Sequence, residues 1–284
     1  MGKSSRADTA ARAAQMRAEV ERKERQRKQV IAAVVAVVVV IVAVVVGIAV
    51  SNRPKPAPAA TGADAALSAL VSLPQATLDS SAAPNPNFAP AKLEGGTPLT
   101  QDGKPKVLYV GAEYCPFCAM ERWALIGALA RFGTFSGLTP TTSSSSDVHP
   151  DTPTWSFAKA KYTSDVLALE AIETQDRNQQ PLQTLEGQNL QLFQKFNPGG
   201  GIPWIDYGGT NATSGATVDA NVIDGKTYDQ IIAGIKDPNS QIGKTMNPAI
   251  NLISAQLCQM TGGKPTNVCT SSGVMTASVL LKKK

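Results

Sequence analysis

The strongest apolar signal in the chain is residues 30–50, an uncharged run of 21 residues made mostly of Val, Ile and Ala. As an α-helix it spans roughly 31 Å, which matches a hydrocarbon core of about 30 Å. It has no polar face, which a helix on the surface of a soluble domain needs. The run therefore predicts a single transmembrane helix. The alternative is a cleavable signal peptide cut near residues 57–59, but signal cores are usually about 7–15 residues long.

After this run the pattern changes twice. Residues 51–90 are rich in Pro and Ala and predict a semi-extended linker, with a short helix near residues 65–71. Residues 91–270 alternate between apolar strand-like runs and amphipathic stretches, which predicts one α/β domain. Its strands are predicted at 107–112, 155–162 and 166–172, its helices at 115–131, 185–196, 228–235 and 242–260, and a β-hairpin at 202–218. The last residues, 271–284, are predicted as a frayed tail.

The charge distribution orients the predicted membrane helix. Residues 1–29 hold nine Lys or Arg and four Asp or Glu, whereas the rest of the chain holds 18 of each sign. Positive charge next to an apolar helix favours the cytoplasmic side, so we expect a basic cytoplasmic tail at 1–29 and the α/β domain outside the cell membrane. Attraction to the lipid bilayer explains the basic tail more simply than nucleic-acid binding does, and no nucleic-acid partner is expected.

The candidate chemistry lies in the four residues Cys115, Pro116, Phe117 and Cys118, between the predicted strand and the first strong helix. Cys115 falls at the expected helix N-cap, and Pro suits the first helical position. Unpaired N–H groups and the positive helix end favour a thiolate, so we expect a lowered pKa for Cys115. Cys118 lies on the same helix face and can close a reversible disulfide. The pair predicts a nucleophile, Cys115, and a resolving thiol, Cys118.

Two other interpretations of this pair concern structure and metal binding. Cys115 and Cys118 could form an inert disulfide, and a zinc site would need about two further ligands. His149 is the only histidine, and the other two cysteines are not spaced for zinc. We therefore expect no metal, and no cofactor beyond the redox-active disulfide itself.

Two carboxylates flank the dithiol. Glu121 comes three residues after Cys118, and Glu113 comes two residues before Cys115. Either is a candidate for relaying the proton of a cysteine, and the simpler alternative is a solvated helix face.

A second cysteine pair, Cys258 and Cys269, encloses a turn sequence, Gly262-Gly263-Lys264-Pro265. Disulfides persist outside the membrane, so this pair is predicted to form a structural bridge. The alternative is a second redox pair that exchanges with the first.

These features together resemble the thioredoxin superfamily. The resemblance is carried by the strand at 107–112, the Cys115–Cys118 dithiol and Ile202-Pro203 before the hairpin. The run Gly111–Trp123 more closely resembles a mostly membrane-anchored prokaryotic family, domain of unknown function 929. The superfamily implies a thioredoxin-like fold, here with an insertion of part of the roughly 70 residues before Pro203. It also implies a cis-Pro203 that faces the substrate, with Ile202 beside it.

The functional prediction is a membrane-anchored, extracytoplasmic thiol–disulfide oxidoreductase. It would act on the thiols or disulfides of exported proteins, and a membrane redox partner is a further candidate. The competing prediction is a redox-silent thioredoxin-fold module for binding or assembly at the membrane. The sequence leaves the direction of exchange open.

Overall fold

Helices and strands alternate along residues 60–282, the part of the chain that the computed structural model describes. The predicted cytoplasmic tail (1–29), transmembrane helix (30–50) and first residues of the linker lie outside it. Within the described part, no helix is both long and apolar enough to cross a membrane.

The elements confirm a mixed α/β architecture. The α-helices are α1 (Ala63–Val71), α2 (Gln75–Asp79), α3 (Pro116–Leu129), α4 (Gly187–Phe196), α5 (Tyr228–Lys236), α6 (Gln241–Met260), α7 (Thr266–Cys269) and α8 (Ser272–Leu281). The strands are β1 (Ala91–Lys92), β2 (Thr100–Gln101), β3 (Lys104–Gly111), β4 (Thr134–Ser136), β5 (Thr139–Thr142), β6 (Pro153–Ser156), β7 (Lys161–Thr163), β8 (Ala168–Glu173), β9 (Trp204–Tyr207) and β10 (Asn211–Ser214). Short 3-10 helices cover Pro86–Phe88 and Ala220–Val222.

Strand β3 is the centre of a mixed six-stranded sheet. It pairs in parallel with β8 and antiparallel with β9, and β9 forms the hairpin with β10. Strand β1 pairs with β10, and β2 pairs with β3. Because parallel partners need a crossover, the chain between β3 and β8 leaves the sheet and returns to it.

The apolar run in β3 is explained by burial on both faces of the sheet. Val107 and Tyr109 contribute to the larger core, together with residues of α3 and α6. Leu108 and Val110 point to the opposite face and contribute to a second core, where side chains of α4 pack against Trp204. The alternation of β3 side chains thus places helices on both faces of the sheet.

The crossover between α3 and β8 includes two small antiparallel sheets, β4 with β7 and β5 with β6. Trp123 of α3 anchors the second sheet, because its indole N–H donates to the Pro153 carbonyl at 2.8 Å. Its ring also packs against Trp155, with centroids 4.5 Å apart. The predicted strand over 155–162 is therefore two shorter strands, β6 and β7, that belong to different sheets.

The structured domain begins earlier than the predicted boundary at residue 91. The predicted linker, 51–90, contains α1 and α2, whose Leu70 and Leu78 are buried in the larger core. The Asn251 amide of α6 also donates to the Leu78 carbonyl at 2.8 Å. Pro and Ala dominate the composition, but the few leucines are spaced to cover the helical layer.

The predicted frayed tail, 271–284, is also ordered structure as far as the chain is described. Its residues form α8, and the side chains of Val274 and Ala277 are buried. Helix α8 packs along α6. Apolar contact therefore keeps this segment helical although it lies near the end of the chain.

Candidate functional site

The dithiol lies after the end of β3, at the start of α3. Cys115 is the N-cap of α3, with an extended backbone, and Pro116 occupies the first turn. The Cys115 sulfur accepts a hydrogen bond from the backbone N–H of Cys118 at 3.3 Å. Both thiols are free, and Cys115 is 5% exposed whereas Cys118 is completely buried. Of the two sulfurs, Cys115 is therefore the one that a partner reaches first.

The two thiols are electrostatically unequal. The pKa of Cys115 is lowered, chiefly by a hydrogen bond from the Cys118 side chain, with further help from backbone N–H groups and the charge of Arg122. The pKa of Cys118 is raised well above its usual value, chiefly because the thiol is buried. This asymmetry suits Cys115 to be a thiolate while Cys118 keeps its proton.

Ile202 and Pro203 lie directly beside Cys115. The thiol of Cys115 points at the Ile202 carbonyl at 3.8 Å, although the two residues are 87 positions apart. The Ile202–Pro203 peptide bond is cis, and the Pro203 carbonyl accepts the N–H of Gly215. The fold thus brings together the dithiol and the two residues that sequence resemblance singled out for substrate contact.

A groove of about 790 Å³ opens next to the dithiol. Phe117 and Ile202 line it at the dithiol end, and Phe117 is 39% exposed. Its other walls come from the chain around Phe88, the segment after β10, and the α6 face that includes Thr245. The groove is not evident from the sequence, because its walls are distant in the chain.

Glu121 lies in the interior rather than on a solvated helix face. Its side chain is completely buried, and one oxygen, Oε2, accepts hydrogen bonds from both the N–H and the hydroxyl of Thr217. Its other oxygen has no hydrogen-bond partner among the described residues. Burial raises the pKa of Glu121 to about 7, against the opposing effect of the Thr217 bonds. The contacts tie Glu121 to the groove wall.

Glu113, the other predicted relay, lies in the loop that leads from β3 to Cys115. Its side chain is half-buried and accepts a weak hydrogen bond from the Thr141 hydroxyl at 3.4 Å. Its backbone N–H donates to the carbonyl of Gln175. These contacts hold the loop before the dithiol against β5 and against the chain that follows β8.

A buried ion pair beneath the dithiol is the main feature of the site that the sequence does not predict. Arg122 of α3 and Glu173 at the end of β8 are both fully buried, with Nε–Oε1 and Nη2–Oε2 distances of 2.8 and 2.6 Å. Arg122 follows Cys118 by four residues, so it lies one helical turn below that thiol. The signal available in the sequence was Arg122, a cation within a helix whose other residues are largely apolar.

Cys258 and Cys269 form a disulfide in the structure, with Cα atoms 5.6 Å apart. It links the end of α6 to α7, next to the core. Among residues 60–282, no cluster of three His, Cys, Asp or Glu side chains is arranged to hold a metal ion.

A protein-family model matches less than half of the chain. Residues 91–199 match the model described as Domain of unknown function (DUF929). The match confirms the family resemblance that was predicted from the sequence around Cys115. The DUF929 match includes the dithiol, Arg122 and Glu173, and it ends before Pro203 and the Cys258–Cys269 bridge. No curated protein and no solved structure matches the chain.

Proposed function

We propose that this protein is a membrane-anchored thiol–disulfide oxidoreductase with a thioredoxin-like fold, which exchanges disulfides with exported proteins outside the cell membrane. The observation that carries the proposal is the pair of unequal thiols at the start of α3. Cys115 has a lowered pKa and lies at the surface end of the pair, whereas Cys118 is buried with a raised pKa. A dithiol that exchanges in two steps needs one accessible nucleophile and one protected resolving thiol.

The exchange can be written for the oxidised protein. A substrate thiolate attacks the Cys115 sulfur, the Cys115–Cys118 bond breaks, and Cys118 leaves as a thiolate that takes a proton. A second substrate thiolate then attacks the substrate sulfur of the mixed disulfide and releases Cys115 as a thiolate. The substrate loses two electrons and the protein gains them, so a disulfide oxidant must then reoxidise the protein, and a membrane redox partner is the candidate for that role. The same steps in reverse reduce a substrate disulfide, with Cys115 as the attacking group.

Three further features support a thioredoxin-like fold. The dithiol starts the helix that follows the central strand β3, a parallel strand β8 flanks β3 on one side, and the β9–β10 hairpin lies on the other. Pro203 enters that hairpin beside Cys115. The proposed membrane anchor is supported by the apolar run at 30–50 and by its basic flank, residues 1–29.

The test is the redox equilibrium of the full-length protein with glutathione, with each cysteine followed by alkylation and mass spectrometry. We expect Cys115 and Cys118 to cycle together at roughly −120 to −230 mV. Cys115→Ser should abolish exchange with a protein disulfide, whereas Cys118→Ser should accumulate a mixed disulfide on Cys115. Full exchange activity in Cys115→Ser would contradict the proposal.

The second candidate is a redox-silent binding module, and the low exposure of Cys115 favours it. In that case the dithiol would resist alkylation in the folded protein and would not equilibrate with glutathione. The same measurement therefore separates the two functions.

A further inference from the structure

The Arg122–Glu173 pair is costly as a purely structural element. Two charged groups with no exposure must give up their hydration, and apolar replacement of buried ion pairs is often neutral or stabilising. The hydrogen bonding of the pair is also incomplete, because the Nη1 group of Arg122 is buried and has no hydrogen-bond partner among the described residues. Stability alone therefore does not account for a cation at this position.

The geometry connects Arg122 directly to the dithiol. Its Nη2 group donates to the Ala112 carbonyl at 2.8 Å, and the same carbonyl accepts the backbone N–H of Cys115 at 3.3 Å. The Ala112 carbonyl oxygen thus bridges the guanidinium and the backbone N–H of Cys115, the proposed nucleophile. Arg122 also lies one turn below Cys118 on α3.

Glu173 fixes the guanidinium in this orientation. The carboxylate accepts from both Nε and Nη2, and the Phe157 N–H donates to it as well. A fork held at two nitrogens cannot turn away from the dithiol without breaking both hydrogen bonds. The face of Tyr109 lies on another side of the cation, 5.9 Å from the ring centroid.

We propose that Arg122 is a positioning residue of the dithiol, whose fixed charge stabilises the reduced, thiolate form and makes the Cys115–Cys118 disulfide more oxidising. This inference rests on the proposed exchange function and assigns the residue that tunes it. Stabilising the reduced form of a dithiol raises its reduction potential.

The electrostatics agree in sign with this role. Among the causes that lower the pKa of Cys115, after the Cys118 hydrogen bonds, is the charge of Arg122. Burial dominates the raised pKa of Cys118, and there Arg122 lowers the pKa whereas Glu173 raises it. The two members of the ion pair therefore act on the pKa of Cys118 in opposite directions.

Because Arg122 and Glu173 have opposite effects on the pKa of Cys118, removing each of them should shift the redox equilibrium in opposite directions. Arg122→Met removes the cation, and Glu173→Gln removes the anion that opposes it. Both substitutions break the buried pair and should destabilise the fold. We expect Arg122→Met to shift the glutathione equilibrium about tenfold toward the disulfide, and Glu173→Gln to shift it toward the dithiol. General damage to the site would move both variants in the same direction.

Lys106→Met is the matched control. Lys106 is also a buried cation in an ion pair, with Glu170 at 2.7 Å, but it lies at the opposite end of β3 from the dithiol. Its loss should lower stability and leave the equilibrium within about twofold of wild type, a margin well below the tenfold shift that corresponds to one pKa unit. A shift as large as that of Arg122→Met would overturn the assignment.

A second measurement separates this inference from the proposed function. Thiolate formation at Cys115 can be titrated by ultraviolet absorbance in the reduced protein, without any exchange partner. The midpoint should rise in Arg122→Met and stay unchanged in Lys106→Met. An unchanged midpoint in Arg122→Met overturns the role of Arg122, whereas a wild-type dithiol that never equilibrates with glutathione overturns the exchange function instead.

Discussion

Thr217 donates both its backbone N–H and its hydroxyl to a single oxygen of Glu121, at 2.7 and 2.8 Å. Glu121 belongs to the dithiol helix α3, and Thr217 belongs to the chain after β10 that lines the groove. The pair therefore joins the helix that presents the thiols to a wall of the adjacent groove. No ion pair to Glu121 is present within residues 60–282, so its charge is compensated only by hydrogen bonds.

This burial predicts a specific pH dependence of stability. The pKa of Glu121 is raised from 4.5 to about 7 in the folded protein, because burial disfavours the charged form. Between these values the folded state holds a proton that the unfolded chain releases, so the contribution to stability is full below pH 4.5 and is lost as the pH rises to 7. The loss is on the order of 3 kcal/mol.

Glu121→Gln should remove that dependence, since the amide is neutral at every pH and its oxygen can still accept from Thr217. Urea unfolding at pH 5 and pH 8 measures the difference. The control is Glu94→Gln, because the side chain of Glu94 is largely exposed. Equal pH dependence in wild type and Glu121→Gln would show that Glu121 is ionised in the folded protein throughout this range.

The second cysteine pair is predicted to stabilise the fold without taking part in exchange. Cys258 and Cys269 are 11 positions apart, and closing a loop of this size contributes about 3 kcal/mol in the chain-entropy model. The double substitution Cys258→Ser and Cys269→Ser should lower the free energy of unfolding by that amount. Exchange with a peptide disulfide should continue at the wild-type rate below the unfolding transition. Loss of exchange at unchanged stability would instead make this pair a redox relay.

How far the site could be predicted depends on whether its signals are local. The start of α3 is predicted by four consecutive residues, which include Cys115, Pro116 and Cys118. The apolar run of β3 comes shortly before them. Glu173 is 51 positions from Arg122, and their pairing follows from the parallel register of β3 and β8, which single-sequence periodicity does not give. The groove depends in the same way on tertiary packing.

The same distinction explains the domain boundary. Residues 51–90 have the composition of a linker, but burial of Leu70 and Leu78 against distant helices overrides composition. The hairpin after Pro203 and the two helices behind it were predictable, because their turn residues and apolar periodicity are local. The small sheets β4–β7 and β5–β6 were not, because their strands are short and pair across the crossover.

The packed N-terminal helix gives a test of the corrected boundary. Leu70 is fully buried in the core, whereas the neighbouring Val71 is 39% exposed. Leu70→Ala should lower the free energy of unfolding by about 2–5 kcal/mol because it leaves a cavity. Val71→Ala, its matched control, should change stability by less than about 0.5 kcal/mol. Equal, small effects in urea unfolding would restore the linker interpretation of this segment.

The groove beside the dithiol predicts a preference for polypeptide over small disulfides. Phe88 lines the groove, together with Thr245 of α6. An extended substrate segment that continues past Cys115 would bury apolar side chains there, and glutathione is too small to use the whole groove. Phe88→Ser should therefore lower kcat/KM for an unfolded protein disulfide by about tenfold, a loss close to the lower end of the range for burying one apolar side chain.

The same variant should reduce glutathione disulfide at the wild-type rate, since that reaction needs only Cys115 and its immediate surroundings. Met275→Ser is the control, because Met275 is an exposed apolar residue on α8 and lies outside the groove lining. Stopped-flow measurement of both substrates gives the ratio directly. A ratio that is unchanged in Phe88→Ser means that polypeptide substrates approach Cys115 by another route, and an equal loss with both substrates means that the substitution disturbs the dithiol itself.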